Sequence, residues 1–194
     1  MAEVLLFHHA HGLTRGVHSF ADGLRAAGHV VHVPDLYDGK TFSDLSEGVG
    51  YAKQVGFDTI LERGVQAADG LPAQLVYGGF SLGVMPAQKL AQTRDGATGA
   101  LLFHSCFPPS EFGGAWPSNV PAQVHIMEKD EWALEGDLEA ARELAATTDG
   151  VELFLYPGDR HLFADSSLPD YDQRAATQLK ARVLSFLETI DSRR

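Results

Sequence analysis

The run Gly79-Phe80-Ser81-Leu82-Gly83 comes just after the apolar stretch Leu75-Val76-Tyr77 and leads into a segment of helical character. That context calls for a sharp strand-to-helix turn, with small residues at 79 and 83 relieving the crowding and a serine at the apex. The turn would lift the Ser81 hydroxyl above a sheet edge. Ser81 is therefore the candidate nucleophile, the other reading of the pentapeptide being an ordinary glycine turn.

The rest of the chain repeats the strand-then-helix pattern. Strand-like runs are expected at Glu3 to Phe7, at Val30 to Val33 (stopped by Pro34), at Gly99 to Phe103, at Ala122 to Ile126 and at Val151 to Leu155. Helical periodicity fits about Thr14 to Ala27, Leu82 to about Thr93, 137 to 146 and 171 to 190, with a polar or helical region around 43 to 70. This alternation predicts an α/β fold: a compact, mostly parallel sheet flanked by helices, without a large lid. A chain of 194 residues with 44% hydrophobic content can bury one sizeable core, so a single domain over 1–194 is expected.

No apolar run approaches the roughly 20 residues a membrane helix needs, and Met1-Ala2-Glu3 leads into a strand-like run rather than a secretion signal. A cytoplasmic protein without membrane insertion is expected. The lone Cys106 cannot form an intrachain disulfide and reads as a small buried hydrophobe. A formal charge of −11 opposes binding to phosphate backbones, and Arg193-Arg194 is too short to make a basic recognition surface. Nucleic acid is therefore excluded as a partner, and a small-molecule acyl substrate is expected. The sequence leaves the oligomeric state open.

A serine hydroxyl is a weak nucleophile until an imidazole takes its proton and a carboxylate orients that imidazole. Ser81, Asp130 and His161 supply the three groups in the chain order Ser, Asp, His, and the latter two each follow a strand-like run. Glu128 and Asp159 are alternative orienting carboxylates. In a parallel sheet, residues that follow different strands converge at one carboxyl edge.

With these residues in place, the chain resembles the dienelactone hydrolase family of the α/β-hydrolase fold over nearly its whole length. The resemblance rests on Pro34-Asp35-Leu36-Tyr37, the Ser81 pentapeptide, Met127-Glu128-Lys129-Asp130 and Pro157-Gly158-Asp159-Arg160-His161-Leu162-Phe163. It favours Asp130 over Glu128 and Asp159. It also implies that Ser81 stands at the position of a cysteine nucleophile, with Asp130 and His161 completing the catalytic group. His9 stands where the family carries an auxiliary glutamate. Asp165 takes the position, four residues beyond His161, of an arginine that meets a substrate carboxylate. Reversing that charge points away from dienelactone itself and toward a small neutral ester or lactone.

The backbone amides of Ala10 and Leu82 are the expected oxyanion donors, from the first loop and from the residue after the nucleophile. His9, Tyr37, Trp116 and Asp165 are expected to border substrate, with Phe107, Phe112 and Trp116 forming an aromatic rim. His8, His9 and His11, with His104, invite a metal reading, but their spacing fixes no ligand geometry. Polar packing is expected instead, with no metal and no cofactor. The expected function is a serine carboxylic ester hydrolase working through an acyl-enzyme. The alternatives are an idle hydrolase-like protein that binds a small ligand, and a thioesterase or dienelactone hydrolase.

Overall fold

Residues 1–192 are described in a computed structural model, and Arg193-Arg194 lies outside them. The apolar runs form six strands: β1 (Glu3–Phe7), β2 (Val30–His32), β3 (Val76–Phe80), β4 (Gly99–Phe103), β5 (Ala122–Met127) and β6 (Val151–Tyr156). They pair in the order β2-β1-β3-β4-β5-β6, and every neighbouring pair is parallel. Six helices connect and cover them: α1 (Arg15–Ala26), α2 (Leu45–Val55), α3 (Phe57–Gln66), α4 (Val84–Thr93), α5 (Asp137–Thr147) and α6 (Gln173–Ser192). This is the parallel, helix-flanked sheet that the alternating pattern predicts, in the α/β-hydrolase-like arrangement that the resemblance implies.

The side-chain period of two divides the core between the two faces of the sheet. Val4 and Leu6 of β1, with Phe80 and Phe103, pack against Phe20 and Leu24 of α1 and Leu179, Val183 and Leu187 of α6. Leu5 and Phe7, with Tyr77 and Leu102, face Ile60 of α3, Val84 and Leu90 of α4 and Leu138 of α5. Capping fixes where the helices begin: the Thr14 hydroxyl accepts the Val17 amide, and the Asp44 carboxylate accepts the Glu47 amide. Among the described residues, no helix is long and apolar enough to cross a membrane.

Three differences from the sequence reading bear on the placement of Ser81 and its surroundings. The strand before Ser81 continues through Gly78 and Gly79 to Phe80, because Gly78 and Gly79 lie in register with Leu6 and Phe7 of β1. The helix after Ser81 begins as a 3-10 turn over Ser81–Gly83, and the α-helix starts only at Val84. The region around 43 to 70 is two helices, broken where Gly56 takes φ +96°.

Because all six strands run the same way, their carboxyl ends share one edge. The chain leaves β1 for β2 on one side and crosses back to β3 on the other, which opens a crevice beyond the ends of β1 and β3. The turn at Ser81 occupies this crevice with φ +48°, a left-handed conformation that costs a non-glycine residue about 1–3 kcal/mol. Both flanking glycines are sterically required. A Cβ on Gly79 would lie 2.1 Å from the Gly83 carbonyl oxygen, and one on Gly83 would lie 2.6 Å from that of Phe7. Gly50, in α2, has nothing within 4 Å of its would-be Cβ.

These contacts generate a paired prediction. Gly83→Ala should cost at least about 2 kcal/mol, since the obstructing atoms are backbone and cannot turn aside. Gly50→Ala should be neutral or gain up to about 1 kcal/mol. Urea denaturation midpoints of the two variants test the contrast, and similar values would refute the steric account of the turn.

Candidate active site

Ser81, delivered by β3, donates its hydroxyl proton to Nε2 of His161 at 2.7 Å. His161 follows β6, and its Nδ1–H donates to Oδ2 of Asp130, beyond β5, at 2.7 Å. Oδ1 of Asp130 accepts the Trp132 amide at 3.0 Å, so both oxygens of this wholly buried carboxylate are engaged. With Nδ1 donating to a carboxylate, the ring presents a bare Nε2 to the serine. Glu128 and Asp159 are exposed, and neither bonds to His161. The two supporting loops are tied together: the Lys129 amide donates to the Gly158 carbonyl at 2.9 Å, and the Arg160 amide to Sδ of Met127 at 3.3 Å.

The first loop lies against the same turn. The Ala10 amide makes no hydrogen bond within the described residues. Leu82 stands directly after Ser81 in the 3-10 turn, where an N–H has no preceding carbonyl to meet. Both residues line the cavity beside Ser81 and His161. The carbonyl of Ala10 is packed so closely on α2 that a Cβ on Gly48 would meet it at 2.0 Å.

The histidines of this loop are all occupied. His8 donates from Nδ1 to the His9 carbonyl and accepts the Leu36 amide at Nε2. Burial holds its pKa down at about 4. His9 accepts the His11 amide at Nδ1 and donates from Nε2 to Oδ2 of Asp165 at 2.7 Å. His11 donates to the Phe42 carbonyl. Among the described residues, no group of three His, Cys, Asp or Glu side chains could hold a metal ion. His104, beyond β4, is fully buried with φ +67°, and neither of its ring nitrogens has a hydrogen-bond partner. It packs edge-on against Phe163 at 4.7 Å and beside the His161 ring at 6.0 Å. Burial, and then the neighbouring His161, hold its pKa well below the ordinary value.

His9 and Asp165, expected to border substrate, do not line the cavity beside Ser81. Asp165 is 2% exposed and lies beneath the loop at the start of α1. Its carboxylate accepts from His9, from the Thr14 hydroxyl, and from both the amide and the hydroxyl of Ser167. Burial alone would raise its pKa, but these donors together pull it below the usual range. Burial also lowers the pKa of His9. The pair is thus a neutral imidazole donating to an ionised carboxylate, a brace for the loop rather than a charge facing substrate.

Tyr37 and Trp116, also expected to border substrate, do not line this cavity either. Tyr37 is wholly buried, and its hydroxyl donates to the Gly48 carbonyl, anchoring α2 behind Ala10. Trp116 donates to the Val120 carbonyl and borders a separate groove against α5. Of the three expected rim aromatics, only Phe107 lines the cavity. That cavity, of about 360 Å³, has an apolar wall of Val49, Phe57, Leu82, Met85, Phe107 and Trp132. Trp132 lies 5.8 Å from the His161 ring, and its position two residues after Asp130 is the signal that could have identified it. Ser105 and Asp137 are the remaining polar members of the lining, apart from Ser81 and His161.

The Asp165 brace has a measurable signature. Its folded-state pKa lies below the unfolded value of about 3.9, so its stabilisation is present above that pH and is lost as pH falls through the folded value. Asp165→Asn should therefore cost about 1–3 kcal/mol near neutrality. The gap from the parent should begin to narrow near about pH 4 and go on narrowing as pH falls toward the folded value in urea titrations. A gap independent of pH would assign the loss to packing alone.

The sequence pattern of the Dienelactone hydrolase family matches residues 1–191. No curated protein matches the chain. A structure provisionally assigned as a dienelactone hydrolase from Klebsiella pneumoniae superposes with a TM-score of 0.74 at 19% identity, covering 97% of this chain and 87% of that one. A dienelactone hydrolase-like promiscuous phosphotriesterase from metagenomic libraries gives 0.74 at 17% identity, covering 98% and 87%. A dienelactone hydrolase from Anabaena variabilis gives 0.70 at 18%, covering 97% and 86%. At such identities these structures attest the fold, while the sequence match over almost the whole length attests the family. The chain belongs to the dienelactone hydrolase family.

Proposed function

We propose that this chain is a serine-dependent carboxylic ester hydrolase that cleaves small neutral esters or lactones through an acyl-enzyme. The observation that carries the reading is the unbroken line of hydrogen bonds from Ser81 Oγ through His161 to Asp130, opening on an apolar cavity. An imidazole already accepting the serine proton at 2.7 Å is within reach to act as general base.

In this mechanism Ser81 Oγ attacks the acyl carbonyl as its proton passes to Nε2 of His161, and the buried Asp130 carboxylate stabilises the imidazolium. The carbonyl oxygen, now negative, is met by the Ala10 and Leu82 amides. His161 then returns the proton to the departing alkoxide and releases an alcohol; in a lactone that hydroxyl stays tethered to the acyl chain. Water attacks the acyl-serine with His161 again as base. Collapse of the second tetrahedral species frees the acid and restores the Ser81 hydroxyl.

His9 cannot serve as a second base toward Ser81, because its lone pair at Nδ1 is held by the His11 amide and its Nε2–H by Asp165. The family glutamate is needed to activate a thiol, whereas serine relies on His161 alone. A neutral, braced imidazole at position 9 fits that division of labour. The lining is apolar apart from Ser81, His161, Ser105 and the acidic Asp137, and holds no cation to meet a carboxylate, which favours acyl groups without one.

Ser81→Ala should remove the nucleophile while leaving the fold intact, lowering turnover of a panel of small esters on the order of 10³-fold or more. A fluorophosphonate probe should label the parent at Ser81 and leave the variant unlabelled. Parent-like turnover by a folded S81A, verified by circular dichroism, would overturn the assignment.

A further inference from the structure

The cavity wall is apolar except at one place away from Ser81 and His161. Asp137, the first residue of α5, lines the cavity together with Ser105, which follows β4. The Ser105 hydroxyl donates to Oδ2 of Asp137 at 2.5 Å, and Ser105 itself is 4% exposed. A carboxylate has about four acceptor positions; Ser105 and the Cys106 amide take two, which leaves acceptor capacity on a residue that lines the cavity. Neither residue belongs to the line of hydrogen bonds at Ser81.

We propose that Asp137, positioned by Ser105, is a subsite for a hydrogen-bond donor on the substrate, an ammonium or hydroxyl group near the scissile carbonyl. This rests on the hydrolase reading above and redraws its substrate class: the ester or lactone carries such a donor, and where the donor is an ammonium the substrate is cationic rather than neutral.

The physical case is an imbalance that a ligand would correct. A carboxylate facing an apolar cavity loses hydration whenever substrate fills that cavity, and an alkyl group placed against it returns nothing. A hydroxyl returns a hydrogen bond, an ammonium a charge-assisted one, and a second carboxylate adds repulsion. Burial acts in the same sense on the isolated group, raising the Asp137 pKa against the opposing hydrogen bonds from Ser105 and the Cys106 amide. Asp165 cannot take this role, since its acceptors are spent on His9, Thr14 and Ser167. Discrimination against carboxylate-bearing substrates therefore falls to Asp137.

The test is a series of aryl esters with acyl chains of matched length ending in ammonium, hydroxyl, methyl or carboxylate, measured as kcat/KM at two chain lengths and several ionic strengths. The parent should rank them in that order, with ammonium over methyl by about tenfold or more. Asp137→Asn should collapse the ammonium-to-methyl ratio and raise the carboxylate-to-methyl ratio, with Ser105→Ala moving both ratios the same way. The overall field of the protein changes little on these substitutions, so altered ratios report a local contact. A parent that prefers methyl, or a D137N variant that slows all four esters equally, would overturn the subsite; the latter would mean that Asp137 acts through His161. Calorimetric Kd values for the ammonium and methyl esters on S81A and on S81A/D137N keep the test independent of turnover. Loss of the ammonium preference in the double variant supports the subsite even if Ser81 proves not to be the nucleophile, and its absence in S81A refutes it.

Discussion

The tightest constraint in this molecule is the contact between the turn at Ser81 and the end of β1. Gly83 lies so near the Phe7 and His8 carbonyls that any side chain there would displace them. That contact sets the turn at Ser81 and the first loop side by side, and brings Leu82 and Ala10 to the lining of one cavity. Everything else at the carboxyl edge is arranged around this fixed point. Gly48 seats α2 against Ala10, Tyr37 holds Gly48, and the Asp165 brace holds His9. The site is built from backbone proximity first and side-chain chemistry second.

The same edge gathers an unusual number of imidazoles, and burial governs their state. His8, His9, His104 and His125 all have pKa values lowered chiefly by loss of hydration. They act as neutral groups that donate at one nitrogen and accept at the other, as His125 does between Gln123 and Tyr156. His104 is the exception, an uncharged ring with no partner set against the back of His161. In the proposed mechanism His161 becomes cationic; a second positive charge beside it would be costly, and the burial of His104 disfavours one.

The fold could be read from the sequence because strand runs and amphipathic segments alternate with clear periods, and a parallel sheet follows from that alternation. Ser81, Asp130 and His161 could be nominated from their order and from the strands they follow, and they stand here in one hydrogen-bonded line. The cavity wall was much less legible. Tyr37 and Trp116 have the composition of binding residues, but which face of a loop an aromatic ring presents depends on packing partners far away in the chain, such as Gly48 for Tyr37. Asp165 was misplaced for a related reason. Its position relative to His161 fixes where its backbone lies, while the four donors that turn its carboxylate inward come from residues 9, 14 and 167. Asp137 marks only the start of a helix in the sequence, since nothing local says that Ser105, 32 residues earlier, lies beside it at the cavity.

Of the two tryptophans in the chain, Trp116 is buried with its indole N–H bonded, whereas Trp132 is about half exposed at the cavity wall beside His161. Their emission should therefore separate by wavelength, the buried indole to the blue and the wet one to the red. The red component comes from a ring that any occupant of the cavity must dry or touch. The protein thus carries an intrinsic optical reporter of the state of its own site, needing no added dye and no chemical turnover to be read.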